Sequence, residues 1–268
     1  MEFSLRDDRS AIIELLTPAQ DDPDFDKKLG TFAERFARIV AHGAAVSIPD
    51  NPMGRLRFGA LEVMEHLGLA APADRLLLHV NSFHTRENID AFLDGAAAAG
   101  ARHLLVVSGD GGPRLNRLDP SDIGAGGRAV TSVELLRYIR SRHPGAFRLG
   151  VAYNQYEPEE HENAKLERKL EAGAEFVITQ PEIGDGGGLS RLVDTGMPVF
   201  VGAWMSRKID LVYECVGISA PEANPYSPLG NLELLRRVYP GAGLYLSMVS
   251  YGSDWSALGL DTIRAARS

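Results

Sequence analysis

Cysteine occurs once in the 268 residues, at Cys215, which excludes an intramolecular disulfide and any multi-cysteine metal site. Basic residues are in the minority: 28 Lys and Arg against 36 Asp and Glu leave a net charge of -8. That balance argues against nucleic acid and anionic membrane as partners, although a local field can still hold an anionic small ligand. No apolar run approaches the ~18 residues of a membrane span. The segment MEFSLRDDRS is charged and has no apolar secretion segment, so the expectation is a cytoplasmic protein. The 7 histidines do not cluster. There is no HExxH, no GxSxG and no GxGxxG; the GDGG at Gly109–Gly112 lacks the dinucleotide spacing.

What the chain has instead is 44% hydrophobic residues arranged in a regular alternation. The stretch from Arg148 to Gln180 shows the unit. A strand opens with Leu149 and Val151, and a polar loop runs from Asn154 to Glu160 through Pro158. A charged helix follows, with Leu166 and Leu170 on one face and Gly173 closing it. A second strand at Phe176–Ile178 ends in Thr179-Gln180. Further strands are predicted at Ser10–Pro18, Ala44–Asp50, Arg75–Ser82, His103–Asp110, Pro198–Met205 and Gly243–Ser250.

Helices fill the intervals. Asp22-Pro23 starts one that carries Phe25, Leu29, Phe32, Phe36 and Ile39 on one face. Thr85 caps another, and Thr131 with Glu134 forms a capping box for a third. Cys215 falls in a helical pattern with Leu211 and Val212 and reads as core, and a terminal helix closes the chain near Ala266. Eight strands alternating with helices, with no linker-like shift, predict one α/β domain over residues 1–268, a (β/α)8 barrel. A doubly wound open sheet is the alternative.

In such barrels the active site lies at the C-terminal ends of the strands. Those ends supply Glu14, Asp50, His79 with Asn81, Asp110, Asn154, Gln180, Trp204 and Ser250. Glu14, set inside AIIELL, is the most informative. Burial without a partner disfavours a charged carboxyl and raises its pKa, which makes it a proton donor near neutrality. A structural hydrogen bond to the barrel wall is the plain alternative. Asp110 after Gly109 reads as a functional acid, with a turn or helix cap as the plain alternative, and His79 alone reads as a satisfied core histidine. Glu157, Glu159, Glu160 and His161 look like a solvated charge run, and Gly124–Gly127 and Gly184–Gly188 like loops.

Taken together, these residues resemble the methylenetetrahydrofolate reductase family. Pro158–His161 and Arg168–Gln180 (PEEH…RKLEAGAEFVITQ) are similar to its Pro-Glu-x-His…Arg-Lys-x-x-Ala-Gly-Ala…Thr-Gln segment. Glu14 before Thr17-Pro18, His79 on the third strand and Gly109-Asp110 on the fourth follow in the family's order.

The resemblance implies a barrel that reduces 5,10-methylenetetrahydrofolate to 5-methyltetrahydrofolate, with NAD(P)H passing hydride to FAD in typical members. It implies that Glu14 protonates the folate N10 and that Asp110 stabilises positive charge near pterin and flavin. It also implies that Gln180 bonds the pterin, with Asn154 and Asp50 on the substrate side. His79, Gly109, His161, Arg168 and Lys169 fall on the cofactor side.

Three departures concern the flavin: Ser108 replaces the family's Arg, Pro49 replaces a Thr, and the 161–168 segment is about two helical turns short. Weak or altered flavin binding, or direct hydride transfer from nicotinamide, follows from them. A barrel that binds folate or pterin without reducing it, as carrier or partner subunit, is the alternative from another class. A homo-oligomer is left open.

Overall fold

Residues in the first strand alternate between two destinations, and that alternation builds the whole molecule. The computed structural model describes residues 11–184, 188–217 and 226–249. In β1 (Ala11–Glu14), Ile12 joins an inner cluster while Ile13 joins an outer one. The inner cluster is Ile12, Ala45, Leu77, Leu105, Phe176, Ile178, Phe200 and Tyr245, which fills the centre of the barrel. The outer cluster packs Ile13, Val46, Leu78, Leu104, Val177 and Val201 against helix residues such as Phe36, Leu93 and Leu135. Both faces are buried, so the strands read as unbroken apolar runs, as parallel strands covered on both sides do.

The remaining strands are β2 (Ala45–Ile48), β3 (Leu76–Val80), β4 (His103–Val106), β5 (Arg148–Tyr153), β6 (Phe176–Pro181), β7 (Val199–Trp204) and β8 (Gly243–Ser247). They form a closed parallel barrel in sequence order, with β8 pairing back on β1. Helices α1 (Phe25–Ala41), α2 (Ala60–His66), α3 (Arg86–Ala98), α4 (Ser132–Arg142), α5 (Glu159–Glu171), α6 (Ser190–Asp194), α7 (Asp210–Val216) and α8 (Pro228–Val238) lie between them. The predicted caps are present. Thr85 Oγ1 accepts from Asn88 N, and the Thr131–Glu134 box closes in both directions.

Several expected boundaries move. The barrel ladder ends at Glu14 in β1 and Ile48 in β2, short of Pro18 and Pro49, which lack the N–H that pairing needs. Asp50, Asn81 and Asp110 therefore sit in the loops after β2, β3 and β4 rather than on strands. Helix α1 starts at Phe25, so Pro23 lies outside it, in a turn where Asp22 Oδ1 accepts from Asp24 N. Leu170 is exposed; the buried side chains of α5 are Leu166 and the acid Glu162. Ser250, the terminal helix and the side chain of Cys215 lie outside what is described.

Candidate active site

Register places the central acid. Ile12 pairs with Tyr245 across the β1–β8 closure, and Glu14 pairs with Ser47 across β1–β2. Glu14 is two residues, about 6.6 Å, further along the strand than the Tyr245 backbone, an offset that the length of a tyrosine ring spans. The Tyr245 hydroxyl donates to Glu14 Oε2 at 2.9 Å. The same hydroxyl lies 3.2 Å from Ser47 Oγ, which in turn is 2.8 Å from His79 Nε2. Three strands and the closing strand thus hand one hydrogen-bonded chain to the barrel mouth: His79, Ser47, Tyr245, Glu14.

Burial raises the Glu14 pKa to about 7, against the opposing effects of the Tyr245 hydrogen bond and the Arg57 charge. Burial pulls His79 the other way, down to about 3, so its imidazole is neutral at physiological pH. An acid that is half protonated near neutrality stands beside neutral donors and acceptors, which suits proton transfer.

A second polar group lies in the loops after β2 and β3. Asp50 accepts from His84 Nε2 at 2.7 Å and from Asn81 Nδ2 at 2.9 Å. Burial disfavours the charged form of His84, but the hydrogen bond and charge of Asp50 outweigh it and raise its pKa. Asp50 and His84 line a cavity of about 630 Å³ together with Arg57, Phe58, Phe83, Arg114 and His79. The cavity lies off the barrel axis, on the β2–β3 side. Glu14 is not among its lining residues, and His79 borders both it and the acid's chain. Arg57 is half-buried, donates to the Thr17 carbonyl and makes no ion pair among the described residues.

The loop after β4 closes over this region. Gly109 has φ +79° and lies against Asn81, where an added Cβ would sit 2.7 Å from the Asn81 side chain. Beyond it, a Cβ on Gly112 would come within 2.1 Å of the Gly54 carbonyl, so the loops after β2 and β4 meet backbone to backbone. Asp110 is exposed and its Oδ2 accepts from Met53 N at 2.8 Å. Met53 and Asn51, with φ of 58° and 47°, hold left-handed backbone in this loop. Non-glycine residues tolerate that strain chiefly where function requires the shape.

The other predicted positions are spread more widely. Gln180 lies at the end of β6, where its carbonyl takes hydrogen bonds from Gln155 Nε2 and Thr179 Oγ1. Its side-chain amide makes no hydrogen bond among the described residues. Asn154 caps the turn after β5 by accepting from Tyr156 N. His161 is exposed in the first turn of α5. Arg168 and Lys169 lie in its last turn, about 10 Å further along the axis at 1.5 Å per residue. Arg168 Nε donates to the Ala164 carbonyl, and Lys169 reaches the Ala152 carbonyl and Glu162 between helix and strand. The structure brings together Glu14 and His79, with Asp50 on the adjoining cavity and Asp110 tied to the loop after β2; it does not bring Arg168 or Lys169 to them.

Sequence reasoning missed Tyr245, Ser47 and Glu162. Glu162 is buried at 2% exposure, held by Lys165 at 2.8 Å and by Asn154 N at 3.1 Å. Its signal was the spacing Glu162-x-x-Lys165 inside what looked like a solvated run. Among the described residues no group of three or more His, Cys, Asp or Glu could hold a metal, and no helix is long and apolar enough to cross a membrane.

Fold and site first define a class: a (β/α)8 barrel carrying a half-buried carboxylic acid at its mouth. The sequence profile of methylenetetrahydrofolate reductase matches residues 22–181. That span exceeds half of the 268 residues, and the chain belongs to this family. A Clostridium thermocellum protein that binds two copies of 5-methyl-5,6,7,8-tetrahydrofolic acid superposes with a TM-score of 0.66 at 12% identity, covering 98% of this chain and 96% of that one. Dihydropteroate synthase from Xanthomonas albilineans gives 0.55 at 16% identity over 99% and 96%. These likenesses establish the barrel. No curated protein matches the chain in sequence.

Proposed function

We propose that this barrel reduces 5,10-methylenetetrahydrofolate to 5-methyltetrahydrofolate, with NAD(P)H as the hydride source. Family membership supplies the substrate class, and the observation that carries the reading is Glu14, a carboxyl hydrogen-bonded by the Tyr245 hydroxyl and raised by burial to a pKa of about 7 against the lowering effect of that bond. Its proton goes to the folate N10 as the N10–methylene bond breaks, and the bonding pair stays on nitrogen. The resulting 5-iminium cation takes hydride at its methylene carbon. One proton and one hydride enter per turnover, and NAD(P)+ leaves.

In this reading Gln180 pairs with the pterin, its amide being uncommitted, and Asn154 shapes that side of the mouth. Asp110 and Asp50 place negative charge around the β2–β4 loops, where cationic character grows in the ring-opened intermediate. The cavity on the β2–β3 side, bordered by His79, is the place for the nicotinamide donor.

FAD is the family's usual intermediary, and three placements support a route without it. Ser108 is exposed and uncharged, and its carbonyl is occupied by Ser82 N and Oγ. Pro49 lines the cavity without a backbone donor. Arg168 and Lys169, which a flavin diphosphate would need, are engaged along α5. These residues do not fit a flavin diphosphate, and hydride passes directly from nicotinamide to the folate.

A second reading, a folate-binding barrel that does not reduce its ligand, draws on the Clostridium neighbour and on Asp110, whose carboxylate is occupied by the Met53 amide. Anaerobic NADH or NADPH oxidation by the flavin-free protein, with and without methylenetetrahydrofolate, decides between them. Folate-dependent oxidation supports the reductase; tight folate binding with no oxidation leaves the carrier.

A further inference from the structure

The polar chain behind Glu14 has a direction. Tyr245 donates its only hydroxyl hydrogen to Glu14, so it can only accept from Ser47. Ser47 has one hydrogen as well; once given to Tyr245, its oxygen must accept from His79 Nε2. A neutral imidazole can do this as its Nε2–H tautomer. Each link therefore donates forward and accepts from behind, from His79 at the cavity wall to Glu14 at the mouth. When Glu14 carries its own proton, every link can reverse, with the imidazole in the other tautomer. Such chains polarise along their length, so a change at one end is felt at the other.

We propose that Tyr245 is the positioning residue of Glu14, and that with Ser47 and His79 it forms the path by which Glu14 regains its proton from the side cavity. The role in turnover rests on the reductase reading; the coupling of Tyr245 to Glu14 does not. After Glu14 gives its proton to the leaving nitrogen, the carboxylate takes the Tyr245 hydrogen. Tyr245 takes that of Ser47, Ser47 takes the Nε2 hydrogen of His79, and the imidazole gains one from water at Nδ1. The path moves one proton inward per cycle, which is the number that the reduction consumes. Other charged groups bear on the two ends. Arg57 acts on Glu14, and Asp50 with His84 stands across the cavity.

The first measurement uses the protein alone. Infrared titration of the Glu14 carboxyl, identified by its loss in Glu14→Gln, is compared in the wild type, Tyr245→Phe and Ser47→Ala. A hydrogen bond to a charged group is strong enough that its loss moves the Tyr245→Phe titration upward by about one to two pH units. Ser47→Ala moves it the same way by less. A Glu14 titration unmoved in Tyr245→Phe overturns the positioning role, whatever the activity.

The second measurement compares single-turnover with steady-state reduction below pH 7, where Glu14 starts protonated in the wild type and in both variants. Tyr245→Phe and Ser47→Ala are expected to keep the first turnover within a few-fold and slow later turnovers about 10-fold, with a larger solvent isotope effect. Equal slowing of both phases overturns the return path. If the titration shifts but the wild type never oxidises NADH or NADPH with folate, the reductase reading falls and the Tyr245–Glu14 coupling stands.

Discussion

Asp110 and Met53 are joined by a 2.8 Å hydrogen bond from the Met53 amide to Asp110 Oδ2, which ties the loop after β4 to the loop after β2. Met53 is in the left-handed region at φ 58°, so the carboxylate holds a strained turn. Asp110→Asn keeps an acceptor and is expected to change stability by less than about 1 kcal/mol. It removes the negative charge, so kcat falls more than KM rises if that charge answers the growing cation. Gln180→Ala behaves oppositely, weakening folate binding with a smaller effect on kcat, because an amide on the pterin acts in ground and transition states alike. Steady-state kinetics of both variants check the split; identical kcat and KM in both refute the two assignments.

Glu14→Gln keeps the shape and removes the proton. Turnover is expected to fall on the order of 10²-fold or more, the scale of general acid catalysis. In the wild type kcat/KM should be level below the Glu14 pKa of about 7 and fall as pH rises through it, because only the protonated acid donates. A rate that instead climbs through that range removes Glu14 from the donor role.

The same carboxyl makes a stability prediction with a definite sign. Its pKa rises from 4.5 unfolded to about 7 folded, so between those values the folded state binds more protons and stability falls as pH rises. The full effect, about 3 kcal/mol before any relaxation, is present above pH 7. Glu14→Gln is therefore expected to be more stable than wild type at pH 8, with the gap closing below pH 5. His79 acts in the other sense. With its pKa lowered from 6.5 to about 3, it contributes stability above 6.5 that is lost on acidification. Thermal unfolding of the wild type and variant across pH checks both signs.

The purified protein is expected to be colourless. An absorbance spectrum with the usual flavin bands at near-stoichiometric FAD refutes the direct route; a flat spectrum together with folate-dependent NADH or NADPH oxidation supports it.

The barrel was legible because its signals are local. Thr85, Thr131 and Glu134 announce helix starts within three residues, and each strand is a short apolar run. Glu14 was legible for the same reason: a lone acid in AIIELL stands out. Tyr245 was not, since GLYLSMVS reads as plain core, and its partner lies 231 residues away in sequence. Only closure of the ring defines that contact. Asp50 pairs with His84 through a loop geometry that no periodicity encodes. Motif order points to Arg168 and Lys169, whereas helix direction decides which end of the barrel they reach.

The Glu14–Tyr245 contact lies on the seam where β8 returns to β1. The acid on β1 and the tyrosine on β8 meet only when the ring of strands closes. Until that strand docks, Glu14 has no tyrosine above it and no closed wall around it, and it remains an ordinary ionised carboxylate. The raised pKa of Glu14 is therefore a property of the closed ring rather than of the strand that carries it, and an opened barrel loses it.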